Sequence, residues 1–503
     1  MDELTKDKSK MGPPLRLSNA ALSNLPDGIK RPSYDRSKLS PGIVHIGMGN
    51  FHRAHQAWYL HRLMEQGLAH DWAIIGAGVR PTDAKMRETL LAQECLTTLV
   101  ELDPHGTSAE VIGSIIDFVP VEQNNTSLIA AMSDPAIRIV SLTITEGGYY
   151  TDAHGDFDPS HDDVCHDIAN PDAPVTVFGA MIVALNNRRQ AGHPAFTCMC
   201  CDNLQNNGEV LRNTLVGLAR LIDAELADWI DEDSSFPASM VDCIVPATGP
   251  DERDLAQQLG VIDAAVVTHE HFRQWVIEDD FCAGRPPWER VGATLTNDVH
   301  PYEAMKILML NAGHQVLANA GELLGLETIA DCMADPDVAA FFMAVERDEI
   351  APHVDPVPGL GPAQYLELIS ERFANRAIRD TTRRVAFDGS SRHPGFVLPI
   401  VRKAIGAGTR YQNLALVEAL WCRMCCGVRE DGSIIEPNDP NWDDLKRTAM
   451  TAEQDPGVWL NQKALYGDLT DHADFRSAFI AGMNRLSKYG VRATLASAVN
   501  SSS

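Results

Sequence analysis

A short apolar run, Ile43-Val44-His45-Ile46, passes directly into Gly47-Met48-Gly49 and then into a helical pattern that starts near Phe51 and carries Trp58, Tyr59, Leu60 and Leu63. β-Branched residues in so short a run suit a buried strand. Two glycines one residue apart allow a sharp turn and let backbone amides approach an anion at the following helix N-terminus. Strand, glycine turn and helix in succession restrict the chain to folds that open with a βα unit, the first step of a dinucleotide-binding sheet. The match to the full fingerprint stops at its third glycine, the position that normally permits close helix-to-strand contact, because His52 stands there. Taken alone, the motif serves either a cofactor phosphate or a bare structural turn. The residues it offers to a dinucleotide are Ile46, Gly47, Met48, Gly49, Asn50 and Phe51, with Arg80 and Asp83 after the second strand. An arginine ahead of the acid leaves NAD and NADP both open on chemistry alone.

The rest of the chain extends this opening. Apolar runs over 72–75, 137–145 and 195–200 read as further strands, and the first two end at glycine pairs, Gly76-Ala-Gly78 and Gly147-Gly148. Helical patterns over 177–185 and 208–223 alternate with them, which implies a mainly parallel sheet with helices on both faces. From about Pro301 the pattern changes, and 305–324, 338–350, 363–374, 396–407 and 414–426 all favour helices. The 503 residues therefore divide into an extended, proline-bearing arm (1–40), a Rossmann-like α/β dinucleotide-binding domain (41–297) and a mostly α-helical substrate-binding domain (298–503).

Forty-two Lys and Arg against 69 Asp and Glu give a net charge of −27, which repels nucleic acid and acidic membrane surfaces. Any phosphate must be held by a local feature such as the glycine turn. Eleven cysteines, several adjacent or one apart (Cys198, Cys200, Cys201; Cys422, Cys425, Cys426), show no disulfide framework and fit reduced thiols of the cytoplasm. No second ligand pair accompanies the Cys422 group, so no metal site is expected, and His161, Cys165 and His166 read as loop residues. The start, MDELTKDKSK, has no apolar core of a secretory leader, and no apolar run approaches the roughly 18 residues of a membrane span. No heptad or isolated apolar stripe marks an interface, so a monomer or weak oligomer is expected.

The densest chemistry lies in Lys306-Ile-Leu-Met-Leu-Asn311-Ala-Gly-His314, an amine, a carboxamide and an imidazole inside an apolar run. At about 100° per residue, His314 falls roughly 80° and Asn311 roughly 140° from Lys306 on an α-helix, so all three can border one cleft. Burial lowers a lysine pKa and turns an inert cation into a proton acceptor. The same residues also fit a plain core, with Lys306 snorkelling at a helix edge and His314 hydrogen-bonded internally. Asn203, in Cys201-Asp202-Asn203 after the strand at 195–200, is placed at the carboxyl edge of the sheet, where ligands bind. A turn-forming asparagine is the alternative there.

Gly47-Met-Gly-Asn-Phe-His-Arg-Ala-His55, Ser141-Leu-Thr-Ile-Thr-Glu-Gly-Gly-Tyr149, Cys201-Asp-Asn203, Gln274-Trp-Val-Ile-Glu-Asp279, the Lys306 motif and Asp388-Gly-Ser-Ser391 together resemble the polyol-specific long-chain dehydrogenases, the mannitol dehydrogenase family. The resemblance runs from about residue 41 into the C-terminal region. It implies a metal-independent, NAD(P)-linked oxidation of a secondary alcohol, D-mannitol to D-fructose first, with substrate enclosed between the two domains. Lys306 would be the general base, Asn203 and Asn311 the donors to the developing alkoxide, and His314 the residue orienting the polyol. Glu303 would gate proton exit, swinging toward solvent. Asp242, Arg384 and Arg392 match substrate positions, although Arg392 stands where the family usually has lysine. The residues around Arg80 and Pro81 also depart from the acid expected there. Two alternatives accompany this reading. A sugar-acid reductase of the same family would use Arg384 and Arg392 to bind a substrate carboxylate; a nucleotide-binding sensor or scaffold would keep the fold and lose catalysis.

Overall fold

The computed structural model describes residues 13–152 and 155–500 and divides into two compact units, the first ending at Val299 and the second starting at His300. The first is built on a five-stranded parallel sheet of β1 (Pro41–Ile46), β2 (Ala73–Ala77), β3 (Ile115–Phe118), β4 (Ile139–Leu142) and β5 (Thr197–Cys200), in the order β3-β2-β1-β4-β5. The order reverses between β1 and β4, which is where doubly wound sheets open a crevice at their carboxyl ends. Strand alternation feeds two separate cores. Val44, Ile46, Val140, Leu142, Cys198 and Cys200 pack with the helices Val177–Ala191 and Asn207–Ile222, whereas Ile43, Ile74, Ile139 and Met199 pack with the helix Gln56–Glu65 and with Trp275 and Trp288. Both faces are covered, as a parallel sheet requires.

Two features depart from the sequence expectation. The proposed arm is, over its described part, woven into this unit: Leu15–Arg16 pairs with Val261–Ile262, Ile29–Lys30 pairs with the strand Gly106–Ile112, and Leu17, Leu25 and Ile29 are buried. Residues 1–12, which carry the reading of the N-terminus, lie outside the described residues. A second, four-stranded sheet joins Val267–Glu270, Thr97–Asp103, Gly106–Ile112 and Ile29–Lys30. Its antiparallel hairpin is set by Pro104-His-Gly106, a turn signal between two β-rich runs.

The second unit is helical, with Pro336–Val345, Pro362–Phe373, Leu398–Ala407 and Gln412–Cys425 close to the expected spans. Cys422 and Cys425 lie fully buried in the last of these, and all eleven cysteines are free thiols. In the first unit His161, Cys165 and His166 are not in a loop: His161 caps the helix Asp162–Ala169, its ring nitrogen accepting from Asp163 N–H, and the other two lie on that helix. Among the described residues, no helix is long and apolar enough to cross a membrane.

Candidate active site

The glycine turn sits at the switch point. Gly47 N–H donates to Ala77 at 3.0 Å, Thr143 N–H donates to Ile46 at 2.9 Å, and Gly47 has φ +101°. A side chain there would overlap the Thr143 carbonyl, so glycine is required both for backbone conformation and for space. At Gly49 the direction a Cβ would take is open within 4 Å, and Gly49 caps the helix Asn50–Ala54. That open approach to first-turn amides fits a pyrophosphate. Ile46 and Met48 are buried, and Phe51 stacks on His55 at 4.9 Å. Asn50 is already engaged: its amide donates to Pro246 and Thr248, and its carbonyl accepts from Arg53.

His52, the departure from the fingerprint, stacks on His45 of β1 with centroids 3.4 Å apart and planes 12° from parallel. The close helix-to-strand contact normally given by glycine is here made by two flat rings. His45 Nδ1 meets Ser141 Oγ at 2.7 Å and its Nε2 meets Thr143 Oγ1 at 2.9 Å. Thr143 gives its own hydroxyl proton to the Gly47 carbonyl, which makes Nε2 the protonated nitrogen of a neutral ring. Burial drives the His45 pKa down to about 3 and the His52 pKa well below its ordinary value. Beyond β2, Arg80 is exposed and its N–H donates to the Asp83 carboxylate at 3.0 Å, which opens the helix Asp83–Leu91.

Asn203 is exposed three residues beyond β5. Its neighbour Asp202, which the sequence reading passed over, anchors it: one carboxylate accepts from the N–H groups of Ile144 and Thr145 and from the Tyr149 hydroxyl. The end of β4 and the Asn203 loop are thereby tied together at the carboxyl edge. Asp242 closes the strand Ser239–Asp242 and is buried.

In the helical unit, Lys306 does not lie on a regular α-helix. His300–Met305 and Ala312–Leu324 are joined by a π-helical turn, Lys306–Asn311, in which Ala312 N–H donates to Ile307, five residues back. A wider turn advances each residue by a smaller angle, so the +5 pair, Lys306 and Asn311, comes closer to one face than α geometry allows. Apolar periodicity carries no signal for this. Two more π-turns, Glu346–Ile350 and His393–Val397, pack against the first, and Pro394 removes a backbone donor from the last of them. Lys306 is 7 % exposed. Glu303, expected to swing toward solvent, is also 7 % exposed in this conformation, held on the packed face of His300–Met305.

His314 stacks on Phe373 with centroids 4.2 Å apart, and its Nε2 faces Asp380 Oδ2 at 3.8 Å. Asp380 Oδ1 receives Arg384 Nε at 2.7 Å and Nη2 at 2.6 Å. Burial raises the Asp380 pKa, opposed by the guanidinium groups of Arg384 and Arg392. Arg392 Nη1 donates to the Val385 carbonyl at 2.6 Å. The Asp388-Gly-Ser-Ser391 motif holds this turn in place: Ser390 donates through its N–H and hydroxyl to the two oxygens of Asp439, both at 2.8 Å. Asp380 sits in a polar stretch, Arg379-Asp380-Thr381, with no pattern to distinguish it in sequence.

The family model of the mannitol dehydrogenase Rossmann domain matches residues 41–290, and that of the mannitol dehydrogenase C-terminal domain matches residues 298–487. The chain belongs to the mannitol dehydrogenase family. A mannitol 2-dehydrogenase of Cereibacter sphaeroides is 54% identical over 467 residues, 93% of this chain and 98% of that protein. The structure of Pseudomonas fluorescens mannitol 2-dehydrogenase in ternary complex with NAD and D-mannitol superposes with a TM-score of 0.87 at 40% identity, covering 97% of this chain and 100% of that one. A substrate-free D-sorbitol dehydrogenase gives 0.88 at 35% identity, covering 96% and 100%.

Proposed function

We propose that this member of the mannitol dehydrogenase family is an NAD-linked polyol dehydrogenase that interconverts D-mannitol and D-fructose. The observation that carries the reading is the buried Lys306 on a π-turn whose geometry draws Asn311 toward the same face, with His314 one helical turn beyond. When bound, NAD supplies a nicotinamide ring that accepts the hydride from C2 as the C2–H bond breaks. Lys306 Nζ takes the proton of the C2 hydroxyl, so that oxygen keeps the electron pair that becomes the second bond of the carbonyl. Asn311 and Asn203 donate hydrogen bonds to that oxygen, neutral donors that stabilise a developing alkoxide without adding charge. His314, fixed by Phe373, orients the polyol. Glu303 passes the proton on from Lys306. Gly47, Gly49 and the helix N-terminus at Asn50 receive the pyrophosphate, and NAD is preferred over NADP, as the NAD complex of the Pseudomonas relative supports.

The sugar-acid reading asks Arg384 and Arg392 to bind a carboxylate. Arg384 already has a carboxylate partner in Asp380, and Arg392 is engaged with a backbone carbonyl, which favours the polyol. Replacement of Lys306 by alanine lowers kcat by several orders of magnitude while NADH binding, read by fluorescence titration, stays near that of the unaltered enzyme. Full mannitol oxidation by Lys306→Ala refutes the assignment of the base.

A further inference from the structure

His393 opens the π-turn His393–Val397, which packs against the Lys306–Asn311 turn. Its ring is fully buried, and both nitrogens and one face are engaged. Nδ1 lies 2.7 Å from Glu418 Oε1, Nε2 lies 3.0 Å from Asn319 Nδ2, and Trp421 stacks on the ring with centroids 4.3 Å apart and planes 11° from parallel. Asn319 Nδ2 also donates to the Gln315 carbonyl at 3.1 Å, so the amide nitrogen is the atom that faces the imidazole and donates to Nε2. The one proton of the ring then sits on Nδ1 and is donated to Glu418. The other carboxylate oxygen accepts from the Tyr466 hydroxyl at 2.8 Å, and that hydroxyl accepts from Trp459 Nε1 at 2.7 Å.

Stability alone does not ask for such a chain. Well-packed apolar side chains of similar volume often serve a core as well as buried polar pairs do, and Asn319 Oδ1 is buried without a partner among the described residues, a destabilising arrangement. What the network provides is a fixed geometry at the residue where the π-turn begins. Asn319 lies on Ala312–Leu324, the helix that continues from Lys306–Asn311, and Glu418 lies on Gln412–Cys425, so His393 is clamped between two helices. Building on the Lys306 reading above, we propose that His393 is a positioning residue for the alcohol oxidation: anchored by Glu418 and Asn319, it holds its own π-turn against the one that sets Lys306 and Asn311 toward one face. A shift of that turn weakens the hydrogen bonds to the developing alkoxide more than it weakens ground-state binding, so its effect falls on kcat.

The test uses the purified full-length enzyme, with D-mannitol oxidation by NAD as the assay and NADH affinity from fluorescence titration. Asn319→Leu removes the donor to Nε2 together with the unpartnered oxygen, whereas His393→Asn keeps a donor for Glu418 and removes the acceptor. Each lowers kcat for D-mannitol on the order of tenfold, with KM within about threefold and NADH affinity unchanged. The double variant loses no more than the poorer single one, since both cut the same hydrogen bond. Asn319→Leu keeps the thermal midpoint of the unaltered protein, which separates positioning from simple loosening, and it carries the test if His393→Asn folds poorly. Asn319→Leu with unaltered kcat, or with a loss carried by KM or by the thermal midpoint, overturns the role of His393 alone when Lys306→Ala is inactive. Full activity in Lys306→Ala overturns the reading of the base on which the inference rests.

Discussion

Replacing Glu346 by methionine is expected to stabilise the protein, by an amount that grows with pH. Glu346 is fully buried on the π-turn that packs against the one bearing Lys306, and neither carboxyl oxygen has a hydrogen-bond partner among the described residues. It lies against the helix that carries His314: a Cβ on Gly313 would come within 2.6 Å of Glu346 Oε1 and 2.9 Å of the Phe342 ring. Burial alone, with no charged neighbour opposing it, pushes the carboxyl pKa well above its ordinary value. A folded pKa above the unfolded one gives stability that is full below pH about 4.5 and is lost as pH rises toward the folded pKa. Through that window each pH unit subtracts about 1.4 kcal/mol, because the unfolded chain releases a proton that the folded chain keeps. The unsatisfied group adds a penalty of about 1–3 kcal/mol at any pH. Methionine is unbranched, close in volume and free of both costs. Urea unfolding of the unaltered chain and of Glu346→Met, followed by far-UV circular dichroism from pH 5 to pH 8, measures the difference. The expected gain is about 1–3 kcal/mol near pH 5 and larger at pH 7. A variant that is less stable, or a gain that does not change with pH, refutes the reasoning, since either result means that the carboxyl is satisfied where it stands.

The neutral buried imidazoles act in the opposite direction. His45 and His269 have pKa values pushed down to about 3 by burial, and His52 lies well below its ordinary value. Their contribution is present above pH about 6.5 and is lost as pH falls toward 3, at up to about 4 kcal/mol per pH unit for the three together; thermal midpoints that stay level from pH 6.5 to pH 4.5 contradict this. Gly47→Ala is expected to weaken NADH binding at least 100-fold or to prevent folding, since the methyl group would overlap the Thr143 carbonyl and φ +101° is strained for alanine; fluorescence titration with NADH checks it, and near-normal affinity counts against the turn as the phosphate cradle.

Much of the first unit was legible because a buried parallel sheet leaves a local trace. The runs at 43–46, 72–75, 137–145 and 195–200 contain β4 and β5 and most of β1 and β2, and the glycines after β1 and β2 mark where the chain must turn. The edge strand β3, at Ile115-Ile-Asp-Phe118, is too short and too mixed to announce itself. The N-terminal stretch read as an arm because prolines and polar residues dominate it, while its few buried side chains find their partners more than sixty residues away. In the candidate site, Lys306, Asn311 and His314 stood out as polar residues in an apolar run, and the glycine turn by its spacing.

The sequence alone therefore determined a βα opening at a glycine turn, a helical second half, strong acidity and a lysine with polar companions in apolar surroundings, since each of these is a local property of composition or period. Tertiary structure decided the rest. The π-turn at Lys306–Asn311 is a choice between hydrogen bonds to the fourth and the fifth residue back, settled by packing against two other π-turns. The meeting of His314 with the Asp380–Arg384 pair joins two segments of chain more than sixty residues apart. No reading of neighbours could supply it, because the energy that holds a buried carboxylate comes from partners that only the folded chain brings within reach.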